Sequence, residues 1–330
     1  MGRFKKILGA GLIILSIAIG IHVLGYIFRP VDTDGAFYQV ETFHSLPENS
    51  IEVIVYGSSK AYRGLCTMEL YKKYGIGAYN YGYHWQKINT TNLFIHDSLM
   101  TQKPKVALIE TYYCNKVLMN RDVNPEIYYS RYIKDEEAKK AYLKQCIGDS
   151  PSLERLLAYR VPLALFHSNW NSLTKDSFKR LVPGSSEEYL TNMGYAPSND
   201  VYELEIAGYD PSSQKELLPE SVSELDKIVQ YCRDNGIEVV FFALPWDANY
   251  QYNDAMEQYA EENGCVFLDL CKKYKEVGLD GKTDFSDYAH LNTRGSCKVA
   301  DYIGQYLKDN YELTDMRNID GNIWQKVLDE

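Results

Sequence analysis

The chain has 330 residues, of which 45% are hydrophobic and 13% aromatic, with 29 tyrosines and a formal net charge of -10. That length and apolar content suit one large α/β domain or two small ones, need no covalent staples, and do not fit a disordered chain. The acidic balance argues against a nucleic-acid partner, because a phosphate backbone is held by clustered Lys and Arg.

In chain order, the first segment is "MGRFKKILGAGLIILSIAIGIHVLGYIFRP". Arg3, Lys5 and Lys6 precede an apolar run from Ile7 to Phe28 that carries no charge before Arg29. As a helix the run is about 30 Å long, the thickness of a bilayer core. It predicts an uncleaved single-pass anchor in the cell membrane, since no clean small-x-small cleavage site follows it. The basic residues predict a cytoplasmic N-terminus and an extracytoplasmic remainder. Gly9 and Gly11 lie inside the apolar run with no strand before them, which excludes a nucleotide loop. Residues 30 to 50 read as a polar linker.

"IEVIVYG" from Ile51 to Gly57 reads as a buried strand, and a helical pattern follows from Ala61 to Tyr74, closed by Gly75 and Gly77. "AYNYG" from Ala78 to Gly82 is a second strand, Gln86 to Met100 a helix, and "PKVALIE" from Pro104 to Glu110 a third strand. Consecutive βαβ units of this kind predict a parallel sheet. From about 115 to 215 the rhythm breaks into helical stretches such as "DEEAKKAYLKQC" and a turn-rich run, which reads as an insert over the sheet and a location for an acceptor site. Alternation then resumes: a helix from Pro219 to Asn235, strand "IEVVFFAL", a helix near Asn253 to Asn263, strand "VFLDL", and a last helix from Arg294 to Lys308. The expected fold is α/β, one doubly wound sheet with a helical insert and an N-terminal transmembrane helix, with ligands at the carboxyl ends of its strands. Seven scattered cysteines with no C-x-x-C predict neither zinc nor a required disulfide framework, and leave the thiols reduced and structural.

Two stretches carry chemistry. In "EVIVYGSSKAYRG", Ser59 stands at a carboxyl strand end and a helix N-terminus, where its hydroxyl is placed either to attack a carbonyl or to cap the helix. In "TDFSDYAHLNTRG", Asp287 precedes His290 by three residues, a spacing that lets a carboxylate orient an imidazole whose other nitrogen deprotonates a serine. The competing account of that loop is a solvated turn, with Asn292 or Thr293 capping the last helix. Tyr79, Tyr81 and Tyr83 fit one face of a strand better than a sugar-binding groove. His84 reads as structural or surface, and His44, His96 and His167 show no partner at ligand spacing.

Gly57-Ser58-Ser59, "YNYG" with Gly82, and Asp287-x-x-His290-Leu291-Asn292 resemble the blocks of the SGNH/GDSL hydrolase superfamily. "VIVYGSSKAY", "GAYNYG", "QKPKVALIETYY" and "HLNTRG" are similar to membrane-anchored SGNH-like proteins of Gram-positive bacteria, among them relatives of the D-alanyl-lipoteichoic acid transfer protein and of polysaccharide O-acetylation proteins. The resemblance covers roughly residues 50 to 115 and 220 to 308 and not the insert, and implies a flavodoxin-like three-layer α/β/α domain spanning residues 51 to 330, with Ser59 as nucleophile, His290 as general base and Asp287 as its orienting carboxylate. It implies an oxyanion hole from the Ser59 and Gly82 N–H groups. Two departures stand out: Ser58 replaces the usual aspartate, and "ETYYCN" replaces the glycine-x-asparagine-aspartate loop, leaving Gln86, Thr111 and Asn115 as substitutes for its asparagine.

These readings lead to an extracytoplasmic serine esterase or O-acyltransferase that forms an acyl-enzyme on a cell-envelope polysaccharide or its acyl ester, with no cofactor and no metal. The resemblance adds a membrane-bound O-acyltransferase as partner. The alternative is a catalytically weak SGNH-like binding or scaffold subunit of a polysaccharide modification or export complex.

Overall fold

A computed structural model describes residues 2–29, 34–118, 127, 130–179, 181 and 192–329. In chain order the elements are α1 (Gly2–Phe28), α2 (Asp34–Ser45), β1 (Val53–Tyr56), α3 (Ser59–Gly64), α4 (Thr67–Tyr74), β2 (Ala78–Asn80), α5 (Ile88–Ser98) and β3 (Val106–Glu110). Then come α6 (Glu136–Ile147), α7 (Leu153–Arg160), α8 (Pro162–Phe166), a 3-10 turn (His167–Ser172) and α9 (Lys175–Lys179). The chain finishes with α10 (Pro219–Asp234), β4 (Glu238–Ala243), α11 (Asn253–Glu262), β5 (Val266–Asp269), α12 (Thr293–Asn310) and α13 (Ile323–Asp329).

These elements form two compact units. One comprises Met1–Phe37, Met119–Tyr132 and Lys139–Ser185, and the other Tyr38–Leu118, Ile133–Ala138 and Ser186–Glu330. The second unit carries a five-stranded, all-parallel sheet in the order β2-β1-β3-β4-β5. Every residue of β1, β2 and β3 is buried, as expected of strands covered on both faces. Helices α3, α4 and α12 pack together on one side of the sheet, and α5 and α10 pack together on β1 and β4. The fold is thus the flavodoxin-like α/β arrangement expected from the sequence, and all five strands fall within the stretches read as strands. The strand order reverses direction between β1 and β3, and ligand crevices in such sheets open at the carboxyl ends flanking that reversal.

The helix expected over Ala61 to Tyr74 is two helices, broken at Leu65 and Cys66, both extended. Gly75 closes the second in the left-handed conformation, φ 72°. The stretch read as a polar linker contains α2, and its residues Gln39, Val40, Thr42 and Phe43 are buried. Phe43 stacks on Tyr81 with ring centroids 4.2 Å apart and meets Tyr79 edge-on at 5.2 Å. The tyrosine pair is therefore core, with Tyr81 donating its hydroxyl to Asp97 at 2.6 Å. His44, which showed no partner in the sequence, joins the same carboxylate through Nε2 at 2.7 Å. The only signal available was the apolar face hidden in a short, mostly polar helix.

The insert also differs from its expected limits. Ile133–Ala138 and the part after Ser186 belong to the sheet unit. Residues 192 to 204 run as an irregular strap sewn to it by backbone hydrogen bonds: Met193 O accepts from Asn80 N, Ala196 N donates to Tyr62 O, and Ser198 O accepts from Thr293 N. The C-terminal α13 had no sequence signal strong enough to register, yet its Trp324 is fully buried and donates Nε1–H to Ala78 O of the edge strand at 3.2 Å. All seven cysteines are free thiols. Helix α1, from Phe4 to Phe28, is long and apolar enough to cross a membrane.

Because Phe43 is an integral part of the core, Phe43→Ala is expected to lower unfolding free energy by about 3–5 kcal/mol. Urea denaturation followed by far-UV circular dichroism measures it; a loss within about 0.5 kcal/mol, as at an exposed site, would restore the linker reading.

Candidate functional site

The site assembles at the strand reversal. β1 ends at Tyr56, and the chain turns through Gly57 at φ 142°, a conformation open to glycine and strained for other residues. A Cβ there would lie 2.6 Å from the Glu110 Cβ, so the close approach of β1 and β3 also demands glycine. The two serines that follow divide the roles left open by the sequence. Ser58 is the cap of α3, its Oγ accepting from Lys60 N at 3.2 Å. Ser59, the first helical residue, has its hydroxyl free of capping and 8% of its surface exposed.

Asp287 and His290 come from a tight loop before α12. Ser286 N donates to His290 O at 2.9 Å, and Phe285 pairs with Leu291 across the loop's base. Asp287 Oδ1 accepts from the backbone N–H of Ala289 at 2.8 Å and of His290 at 3.0 Å. Asn292 caps α12 through Gly295 N at 3.1 Å while its Nδ2 donates to Thr283 O and Asp200 O, fastening loop, helix and strap together.

The structure brings the three residues into one hydrogen-bonded line. His290 Nδ1 is 2.9 Å from both carboxylate oxygens of Asp287, and Nε2 is 2.7 Å from Ser59 Oγ. A carboxylate on Nδ1 favours the tautomer with the proton there, which leaves Nε2 bare to accept the serine proton. Burial pulls the His290 pKa below the ordinary histidine value, and Asp287 opposes it only in part. The ring is therefore neutral at pH 7, as a general base must be. Burial pushes the Asp287 carboxyl up, but the N–H groups of Ala289 and His290 and the imidazole together hold it below the ordinary aspartate value.

Beneath the serines lies a network the sequence did not announce. The buried carboxylate of Glu110 at the end of β3 accepts from Ser58 N at 3.2 Å and Ser58 Oγ at 2.7 Å through Oε2, and from Tyr112 N at 2.5 Å through Oε1. Lys60, also buried, donates Nζ–H to Ala289 O at 2.8 Å, within the Asp287–His290 loop. Its ammonium sits 4.8 Å from the Tyr112 ring centre and 4.5 Å from that of Trp246. Burial lowers its pKa to about 8, against the opposing pull of Glu110, and burial likewise raises the Glu110 carboxyl. Lys60 thus ties the turn bearing Ser59 to the loop bearing His290. The one available clue was its position directly after Ser59.

The expected oxyanion donors are arranged less simply. Among the described residues the Ser59 N–H has no hydrogen-bond partner. The Gly82 N–H donates to Asn80 Oδ1 at 3.1 Å, so an oxyanion there would compete with that bond. Gly82 itself packs against the serine turn, an added Cβ meeting Gly57 O at 3.0 Å and Ala61 Cβ at 3.3 Å. None of the three substitutes for the missing asparagine joins the serine line. Gln86 Nε2 donates to Thr91 Oγ1 at 3.1 Å, Thr111 Oγ1 donates to Phe242 O at 3.1 Å, and Asn115 Oδ1 accepts from Leu218 N at 2.6 Å. Gln86 and Asn115 are both buried, and these bonds brace Thr91 at the start of α5 and Leu218 just before α10.

No family model and no curated protein sequence matches the chain. Among solved structures it is similar to a Bacteroides fragilis protein assigned as an acylhydrolase, at 12% identity over 82% of this chain and 94% of that one, with a TM-score of 0.39. A likeness that distant carries no functional weight, and the chemistry below rests on the chain's own geometry.

Replacing Lys60 by Met is expected to slow covalent labelling of Ser59 by a fluorophosphonate about tenfold or more, since misplacing a reacting group by about 1 Å costs on the order of 100-fold. In the parent protein labelling declines near pH 8, where Lys60 loses its charge, and in the variant that decline is absent. An unchanged rate and pH profile would show that the lysine does not position the loop.

Proposed function

We propose that the protein is a serine esterase or O-acyltransferase that works through an acyl-enzyme on Ser59. The single observation that carries this reading is the continuous line Ser59 Oγ, His290 Nε2, His290 Nδ1, Asp287 carboxylate, with every link between 2.7 and 2.9 Å. In that line Ser59 Oγ attacks an ester carbonyl as His290 takes the hydroxyl proton, and Asp287 stabilises the imidazolium. The tetrahedral oxyanion forms beside the Ser59 N–H at the start of α3. Collapse breaks the ester bond, His290 protonates the departing alkoxide, and the acyl group remains on Ser59. Water or a sugar hydroxyl, deprotonated in turn by His290, then takes the acyl group and restores the serine.

The site class and the motif resemblance support the membrane-anchored SGNH-like group, and with it a cell-envelope glycan or its acyl ester as substrate. Helix α1, with Arg3, Lys5 and Lys6 at its N-terminal end, supports a single-pass anchor with the sheet unit outside the cell. Tyr288, next to Asp287 and 58% exposed, offers an aromatic face of the kind sugars stack on. A membrane-bound O-acyltransferase partner follows from the resemblance alone.

The scaffold reading retains one specific observation: the Gly82 N–H is engaged by Asn80, and Gln86, Thr111 and Asn115 each hold another partner. A fold kept only for binding, however, has no need of a bare imidazole 2.7 Å from an uncapped serine.

Hydrolysis of an activated acetyl ester by the detergent-solubilised full chain tests the proposal. Ser59→Ala is expected to abolish turnover and fluorophosphonate labelling, and Asp287→Asn to lower kcat by on the order of 1,000 to 10,000-fold. Because neutral His290 is the base and its pKa is depressed, the acid limb of kcat/KM has its midpoint below the pH at which an ordinary histidine titrates, and activity is retained above it. Equal labelling of parent and Ser59→Ala would overturn the nucleophile assignment and favour the scaffold.

A further inference from the structure

The unit that contains α1 also contains most of the insert, and the two meet at the C-terminal end of α1. Along α1 the side chains from Phe4 to Leu24 stand largely exposed, whereas Gly25, Ile27 and Arg29 are buried. Helix α8 makes the difference. A Cβ on Gly25 would fall 2.8 Å from Leu163 N and 3.1 Å from Pro162 Cβ, so the two backbones touch there. Asn169 Nδ2, from the 3-10 turn, donates to Phe28 O at 3.3 Å and so satisfies a carbonyl of the last turn. Gly25 lies three residues before Phe28, about 4.5 Å back along the helix axis. The segment from α7 to α9 is thus held at the level where a spanning helix leaves the hydrocarbon, and it reaches slightly below that level.

The same segment turns large apolar side chains outward. Leu153 is 71% exposed and Leu157, one helical turn later on the same face of α7, 44%; Trp170 is 68% and Phe178 51%. Arg160 and Lys175, exposed on the same segment, supply positive charge. Large apolar side chains exposed on each successive part of one segment are unusual for a soluble surface, but they match an interfacial element whose apolar side enters the boundary between headgroups and acyl chains to a depth of about 5–10 Å. Tryptophan in particular prefers that layer.

We propose that residues 153 to 179 form an interfacial anchor in the outer leaflet of the bilayer, continuous with the exposed apolar surface of α1, with Trp170, Leu153, Leu157 and Phe178 entering the headgroup boundary. The occupant of this surface is lipid. The segment also fixes the tilt and depth of the last turn of α1, because the Gly25 contact and the Asn169 bond leave that turn no freedom to slide. This inference rests on the reading of α1 as a membrane span, and it is independent of any activity at Ser59.

The test uses the full chain in nanodiscs of mixed zwitterionic and anionic phospholipid, with bromine on the acyl chains near the headgroups. Helix α1 contains no tryptophan, and the chain has four in all, at positions 85, 170, 246 and 324. Brominated lipid is expected to quench the parent's tryptophan fluorescence, and Trp170→Phe to remove most of the quenched component. Alkaline carbonate extraction of cell membranes reports on α1 separately. Retention in the membrane together with Trp170-dependent quenching supports the proposal. Retention with equal quenching in parent and Trp170→Phe overturns the interfacial anchor while leaving α1 as a span. Release by carbonate overturns the span, and the anchor with it.

Discussion

The buried carboxylate of Glu110 is the constraint on which the proposed site depends. It sits at the carboxyl end of β3, next to the reversal of strand order, and takes the N–H and the hydroxyl of Ser58 as well as the N–H of Tyr112. An acidic group in that position is costly to bury unless its oxygens are satisfied, and here they are satisfied by the turn that must be held. The carboxylate therefore fixes the chain just before Ser59, and the narrow gap between β1 and β3 leaves room only for glycine at position 57. Ser58 holds the carboxylate and caps the helix, which frees Ser59 for chemistry.

From that point the order propagates through charge. Lys60 is buried within the field of Glu110 and donates one hydrogen bond to Ala289 O, the residue beside His290. A buried ammonium without partners is expensive, so the lysine is stable there only while the aromatic faces and the carbonyl stay in place. The serine turn and the histidine loop are 231 positions apart in the chain, yet one side chain bridges them. That bridge holds the turn of Ser59 against the loop of His290, whose Nε2 lies 2.7 Å from Ser59 Oγ.

The surrounding structure protects this arrangement by pinning elements that would otherwise be peripheral. Asp97 collects Tyr81 Oη, His44 Nε2 and the backbone N–H groups of Lys134 and Asp135, so that α2, the chain after β2 and the start of the segment before α6 meet on one buried carboxylate. Burial raises its pKa, and the bonds from His44, Tyr81 and Lys134 more than offset that, keeping it ionised. The strap of residues 192 to 204 serves the other end, joining β2, α3 and the cap of α12 through backbone bonds. It is irregular because its backbone groups pair with loops and helix ends instead of a ladder, which is also why periodicity was silent about it.

Local physics was enough for the sheet and for naming Ser59, Asp287 and His290 as the candidate groups. Five short β-branched or aromatic runs bounded by glycine and proline announce parallel strands, because a strand covered on both faces must be apolar throughout. The spacing of Asp287 and His290 lies within a single turn of chain, and a strand end followed by Ser59 lies within another, so both could be read without knowing the fold. The apolar run of α1 was legible for the same reason, since the bilayer sets its length. What the sequence left open were the long-range choices: that Ser58 caps α3, that the carboxylate of Glu110 holds Ser58, and that Lys60, Phe43, His44 and Trp324 hold distant segments. Those were decided only by tertiary structure, because a buried polar or aromatic side chain takes its role from the partner that satisfies it, and that partner comes from elsewhere in the chain.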